Sequence, residues 1–167
     1  FYLVNKGGDY KALVEKAMAT GRVLVLDCKD VDTAKAALDI CADKKPILHG
    51  ATADNYEAMK ALAEEKGVTL GASAATLSDL HDLSEKIASK NLVLEDTATS
   101  GKEAFEAVVT IRRSAITDSD RTFGFPSIVN VANIAPGNPY LQSAYASLFT
   151  CKYGSIIVVE EMTYAMS

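Results

Sequence analysis

His49 ends an apolar run in the word Pro46–Ile47–Leu48–His49–Gly50–Ala51, where an imidazole at a strand end would face the mouth of a sheet. That position suits proton transfer or ligation, although a hydrogen-bonded structural histidine is the stronger reading. Other polar residues fall at the ends of similar runs: Asn5, Asp27, Cys28, Ser73, Glu95, Asp96, Asn130, Asn133, Glu160 and Glu161. Carboxylates gathered at one edge can share acid–base work, or serve as helix caps and loop anchors. Asp27, His49, Asn130 and Asn133 are the candidates for binding a small molecule, because Asp and Asn match the donor and acceptor edge of a heteroaromatic ring.

Other chemistry is poorly provided for. Cys28, Cys41 and Cys151 are odd in number and widely spaced, which fits neither a disulfide framework nor a CxxC metal site. His81, between Asp79 and Asp82, reads as a solvated residue on the polar side of its helix, so no zinc site is expected. No GxSxG elbow occurs. Gly7 and Gly8 precede a helix start, where exposed N–H groups can hold phosphate, but the pattern is neither GxGxxG nor GxxxxGK and a plain turn is the stronger reading.

The stretch from Ile111 to Asn130, IRRSAITDSDRTFGFPSIVN, combines two arginines, acidic residues and a Gly-aromatic-Pro turn. It reads mainly as a helix-to-strand connector. Phe105, Val108, Val109 and Arg112 share one predicted helical face, Arg113 turns outward, and Asp118 and Asp120 are placed to pair with Arg113 and Arg121.

The elements that must position these residues are short runs at Tyr2–Asn5, Val23–Asp27, Pro46–Ala51, Thr69–Ser73, Asn91–Glu95, Ser127–Val131 and Ser155–Glu160. Most are apolar throughout, as strands buried on both faces of a parallel sheet are. Between them lie amphipathic helical stripes, such as Leu77, Leu80, Leu83 and Ile87, or Leu141, Ala144, Tyr145, Leu148 and Phe149. Helix starts are marked by Ser100 with Glu103, Asp54 with Glu57, and Asn138 before Pro139. Alternating βα units predict an α/β fold with a parallel sheet, either a TIM-type barrel or a doubly wound sheet. A full eight-fold barrel needs at least about 200 residues, so a barrel of these 167 is expected to be partial, with six to seven strands in a single domain over residues 1–167. The apolar beginning without an initiator Met suggests a piece of something longer.

With 17 Lys and Arg against 22 Asp and Glu, a net charge of -5 and no run of about 18 apolar residues, neither nucleic acid nor a membrane is an expected partner. A cytoplasmic location is expected from the odd number and wide spacing of the cysteines and from a start that does not read as a leader.

Several words, taken in order, resemble one family: KKPILHGATADNYEAMKALAEEKGVTLG, NLVLEDTAT, VVTIRRSAI, RTFGFPSIV and KYGSIIVV. They are similar to the large (gamma) subunit of the corrinoid/iron–sulfur protein of the CO dehydrogenase/acetyl-CoA synthase (decarbonylase/synthase) system, from about Tyr10 to Glu160. The most specific parts are NYEAM (Asn55 to Met59), IRR (Ile111 to Arg113) and the turn from Gly124 to Pro126. The resemblance implies a TIM-type barrel and a methyltransferase role as a corrinoid methyl carrier. Such a carrier takes a methyl group from a methyl-pterin and delivers it to acetyl-CoA synthase, in the Wood–Ljungdahl type of anaerobic one-carbon metabolism and carbon fixation. It implies a corrinoid (cobalamin), a 4Fe-4S cluster, and as partners the small corrinoid/iron–sulfur subunit, acetyl-CoA synthase/CO dehydrogenase and a methyl-pterin methyltransferase. The family's cluster domain precedes the barrel and its corrinoid domain follows it; neither is in this chain, and no catalytic residue carries over. Where the family is more basic after IRR, this chain has Thr117-Asp118-Ser119-Asp120. Two other readings of the residues are an autonomous pterin-dependent methyltransferase barrel and an unrelated phosphate-binding barrel enzyme.

Overall fold

The computed structural model describes residues 1–117, 120–151 and 155–161. Contacts divide them into two compact units, one of residues 1–73 with 86–92 and one of 74–85 with 93–167.

The first unit alternates β1 (Tyr2–Val4), α1 (Tyr10–Met18), β2 (Val25–Asp27), α2 (Val31–Cys41), β3 (Ile47–Ala51) and α3 (Tyr56–Lys66), and holds most of β4 (Thr69–Ala74). The pairs β1–β2, β2–β3 and β3–β4 are parallel, with Leu3, Leu26, Leu48 and Leu70 in one register row. These four leucines are buried, each contributing about 2 kcal/mol of transfer free energy. Strand alternation puts the row Val4, Asp27, His49 and Gly71 on the opposite face.

Gly50 sits at a register shift between His49 and Ala51 with φ +113, and a Cβ there would lie 2.8 Å from the Cys28 carbonyl oxygen. Only glycine allows that crossing of β3 by the chain after β2. Asp9 and Asp30 cap α1 and α2, accepting from the Ala12 and Thr33 N–H groups at 3.0 and 2.8 Å.

The second unit contains most of α4 (Leu77–Ile87) and β5 (Leu92–Asp96), then α5 (Gly101–Thr117), β6 (Ser127–Asn130), the short α6 (Val131–Ile134), α7 (Pro139–Cys151) and β7 (Ile156–Val158). Strands β5–β6 and β6–β7 pair in parallel. Its core is Ala104, Val108, Val129, Val131 and Phe149. Strand order follows chain order from β1 to β7, without the reversal that defines the switch point of a doubly wound sheet. The fold is therefore α/β with the sequential parallel βα arrangement of a TIM-type barrel, and all seven expected strands are present.

Four local expectations are corrected. The buried stripe of α5 is Ala104, Ala107, Val108 and Ile111, while Phe105 and Arg112 are exposed, because small alanines let the helix lie closer to the strands than a phenylalanine would. Helix α7 buries Gln142 and Phe149 and leaves Leu141, Ala144 and Leu148 exposed, since Gln142 must turn inward to its polar partners. Asn55, not Asp54, precedes α3. His81 is not simply solvated: its Nε2 lies 3.2 Å from Asp120 Oδ2, and its ring meets Phe123 edge-on at 5.2 Å.

Asp120 thus pairs with His81 in place of an arginine, and it also caps the turn by accepting from the Thr122 N–H at 2.9 Å. Burial raises the Asp120 carboxyl, but the Thr122 hydrogen bonds, the His81 charge and the Ser114 hydroxyl outweigh it and hold the group below its usual value. The Ser84 hydroxyl donates to the Thr122 carbonyl at 2.9 Å, so α4 fixes the 3-10 turn Arg121–Phe123 that leads through Pro126 into β6. The stretch from Ile111 is a connector, as its composition predicts; Asp118 and Ser119 lie outside the described residues.

Candidate functional site

The carboxyl ends of the strands carry a polar layer in each unit. In the first, Asp27 and His49 are register partners on β2 and β3. The Tyr2 hydroxyl donates to Asp27 Oδ2 at 3.0 Å, and the Tyr2 and His49 rings are tilted at a centroid distance of 6.0 Å. His49 is buried, with its Nδ1 set against Gly71, where a Cβ would come within 2.4 Å. Asn5 Nδ2 donates to Cys28 Sγ at 3.3 Å, and Cys28 Sγ donates to the Asp30 carbonyl at 3.3 Å. Burial raises the Tyr10 phenol, with Cys28, Asp27 and Cys41 adding to the shift, so its hydroxyl stays neutral and donates to the Leu3 carbonyl at 2.8 Å.

The bulge at Gly50 is tied down by Asn55, the first residue of the NYEAM word. Its Nδ2 donates to the Lys29 carbonyl at 2.8 Å and the Gly50 carbonyl at 3.2 Å. Its Oδ1 accepts from the Thr52 N–H at 2.7 Å and the Thr52 hydroxyl at 3.3 Å. The residue specifies a loop arrangement at the strand ends, a role that spacing alone did not reveal.

In the second unit, Asp96 is pushed up to about 6, chiefly by burial and then by the Glu103 and Glu95 charges. Glu103 N–H donates to the expected Ser100 cap at 3.3 Å, while its carboxylate accepts from the Thr99 N–H and hydroxyl, both at 3.0 Å, one residue earlier than a Ser100–Glu103 capping box requires. The cavity beside Asp96 and Asn130 has a volume of about 10 Å³, room for about one water. Asn130 is the N-cap of α6, accepting from the Asn133 N–H at 3.2 Å, and the Asn133 side chain is exposed. Glu160 N–H donates to Gln142 Oε1 at 3.0 Å, while Gln142 Nε2 returns a bond to Glu160 Oε2 at 2.9 Å. The same Glu160 oxygen accepts from the Gly137 N–H at 3.0 Å.

Asp27 and His49 are therefore brought together, with Tyr2 as a partner that the sequence reading did not single out. Asn130 and Asn133 are brought together as cap and capped residue. Anchoring explains Asn130 and Glu160; proton exchange near neutrality is available at Asp96.

Gly7 and Gly8, with φ of +89 and +78, form a turn that Asn5 Oδ1 closes by accepting from the Gly7 N–H at 3.1 Å. The Asp9 carboxylate already occupies the α1 N-terminus, where it would repel a phosphate. The phosphate-binding alternative has no support at this helix.

For the 4Fe-4S cluster the donors do not fit. Cys28 and Cys41 are buried and Cys151 is exposed, all three thiols are free, and the described residues contain no group of three or more His, Cys, Asp or Glu suited to a metal ion. Burial, with Asp43 adding, pushes the Cys41 thiol up to about 11, which opposes thiolate ligation. The corrinoid fits no better: His49 is enclosed, and the cavity at Asp96 is far smaller than a macrocycle.

A family model described as CO dehydrogenase/acetyl-CoA synthase delta subunit matches residues 5–166. The chain is 38% identical over 151 residues to the corrinoid/iron-sulfur protein large subunit of Moorella thermoacetica, covering 89% of this chain and 33% of that protein. It is 29% identical over 162 residues to the acetyl-CoA decarbonylase/synthase complex subunit gamma of Archaeoglobus fulgidus, covering 89% and 34%. The subunit gamma of Methanothermobacter thermautotrophicus is 32% identical over 134 residues, covering 74% and 29%. The chain spans about a third of the length of these curated relatives. No helix among the described residues is long and apolar enough to cross a membrane.

Proposed function

The chain belongs to the CO dehydrogenase/acetyl-CoA synthase delta subunit family, and we propose that it forms the barrel portion of the large subunit of a corrinoid/iron–sulfur methyl carrier. In this reading the whole protein takes a methyl group from a methyl-pterin and passes it to acetyl-CoA synthase, in cytoplasmic, anaerobic synthesis or cleavage of acetyl-CoA. Its partners are the small subunit, acetyl-CoA synthase/CO dehydrogenase and the methyl-pterin methyltransferase. The observation that carries the proposal is the match along 89% of the chain, at 38% identity, to a protein named as a corrinoid/iron-sulfur large subunit.

Within that protein this barrel portion, read as one domain, is a scaffold. Asn55, Asn130 and Glu160 near the strand ends are engaged in caps and loop ties, which hold loops in fixed positions without reacting. A corrinoid supplies the methyl-accepting cobalt, and residues outside this chain would hold it and the cluster. The autonomous pterin-dependent reading has less support, because Tyr2 already occupies Asp27 and the space beside Asn130 is about 10 Å³.

The test is anaerobic expression of the full-length protein that contains this chain, with visible absorption and cobalt and iron analysis. Stoichiometric cobalt with corrinoid bands, and iron in cluster ratio, are the expected result. A colourless, metal-free full-length protein would overturn the carrier reading.

A further inference from the structure

Charge is distributed unevenly between the two ends of the first unit. The connections that enter β2, β3, β4 and β5 span residues 19–24, 42–46, 67–68 and 88–91, and they hold Arg22, Lys44, Lys45 and Lys90 against Asp43. The connections that leave β1, β2 and β3 hold Lys6 and Lys29 against Asp9, Asp30 and Asp54. The entering connections are tied into one rim: the Ile47 N–H donates to the Leu24 carbonyl at 2.9 Å, the Lys45 ammonium to the Gly67 carbonyl at 3.2 Å, and the Leu70 N–H to the Asn91 carbonyl at 3.1 Å. Neighbouring strands stand about 4.8 Å apart, so the rim runs roughly 15 Å. Not every cation at this end is free to meet a partner. Lys16, Lys66 and Lys86 lie in the last turns of α1, α3 and α4, where they answer the negative end of the helix dipole. Lys66 also pairs with Asp39 at 2.6 Å and Glu65 at 3.5 Å, and Lys45 is engaged by Gly67. Arg22 and Lys90 lie beyond the last turns and are exposed. Lys44 is exposed beside Asp43 at 3.6 Å, a pair of little strength in water. Val23, next to Arg22, is 67% exposed.

We propose that this rim is a docking surface for an acidic protein, with Arg22, Lys44 and Lys90 facing its carboxylates and Val23 supplying an apolar contact. The helix dipole accounts for the last-turn lysines, but its influence falls off within that turn and does not reach Arg22 or Lys90. The occupant is not a symmetric second copy: a two-fold dimer sets a patch against itself, and a patch of one sign would then oppose like charges. Nucleic acid suits the rim poorly, because tight binding to a phosphate backbone draws on many cations and the chain as a whole carries a net charge of -5. Acidic protein fits on both counts. Its carboxylates complement the rim, which speeds encounter and fixes orientation, and its apolar atoms can cover Val23. The rim is also built before any partner arrives, since the three hydrogen bonds that join its connections are made within the unit.

The experiment measures binding of poly-L-glutamate, as the acidic polypeptide probe, to the full-length protein that contains this chain, at low salt. Binding that weakens as salt is added is expected. Arg22→Glu, Lys44→Glu and Lys90→Glu together should weaken it at least about tenfold, as three exposed contacts turn from attraction to repulsion. Lys6→Glu with Lys29→Glu, at the opposite end of the unit, should leave it within about twofold. If the triple variant folds poorly, Arg22→Gln with Lys90→Gln at two exposed positions carries the same test with a loss of about threefold. No binding of poly-L-glutamate, or equal losses in the two sets of variants, would overturn the assignment. Tighter binding of a DNA duplex than of poly-L-glutamate at the same salt would overturn it in favour of nucleic acid. Self-association at low salt that the triple variant abolishes, read by sedimentation, would overturn it in favour of a second copy.

Discussion

Replacing Gly71 by alanine tests how tightly the Asp27–His49 layer is built. The added Cβ would lie 2.4 Å from His49 Nδ1, 3.0 Å from its Cγ and 3.1 Å from its Cα. Rotation of the imidazole relieves the first two contacts but not the third, which is backbone, and His49 is only 2% exposed, leaving the ring little room. Overpacking of this kind costs about 1 to 3 kcal/mol, and the upper half of that range is expected because backbone must shift. His49→Ala alone leaves a cavity and should cost about 2 to 3 kcal/mol. In the double variant the methyl at position 71 enters the vacated space, so the combined loss should fall short of the sum by about 1 to 2 kcal/mol. Urea unfolding of the four proteins, with midpoints and slopes compared, measures this directly. A Gly71→Ala cost under about 0.5 kcal/mol, or strict additivity with His49→Ala, would refute the packing argument.

Asp96, raised from 3.8 to about 6, binds a proton more tightly in the folded state, so its contribution to stability is greatest below about pH 4 and is lost as pH rises through 6. Discounted for partial exposure, the loss is about 1 to 2 kcal/mol, and Asp96→Asn should recover it at pH 7.5 while leaving pH 4 unchanged; equal pH slopes in the two proteins would refute this. Among the chain's three thiols, exposed Cys151 should react with a maleimide at pH 8 in the folded protein, with Cys28 and Cys41 reacting only on unfolding, as read by peptide mapping.

The strands were legible because a segment buried on both faces needs apolar residues at every position, and no tertiary knowledge is required to see that. Their order in the sheet was not legible from periodicity, since barrel and doubly wound sheets make the same demand on each strand; chain-order pairing decides it. Helix faces were read less well where a polar residue turns inward. Gln142 is 1% exposed because Glu160 and the Ala135 carbonyl consume its amide, and a stripe built from hydrophobicity alone passes over it. His81 and Asp120 lie 39 positions apart in the chain, so only the fold reveals their contact. At the candidate site, Asp27 and His49 were visible as strand ends, but Tyr2 was not, because its partner comes from the neighbouring strand.

Asn55 makes a different kind of statement about how this sequence is free to drift. Its amide has two donors and two acceptor positions, and all four are engaged, the donors by carbonyls and the acceptors by Thr52. Aspartate has the same shape, yet it would turn an oxygen toward the Lys29 and Gly50 carbonyls where hydrogens are required. Glutamine has the right groups one carbon too far out. Asparagine alone therefore satisfies all four positions, and even spontaneous deamidation, a change of one group with no change of size, would reverse the polarity of the knot that ties the chain after β2 to the end of β3 and the loop that follows it.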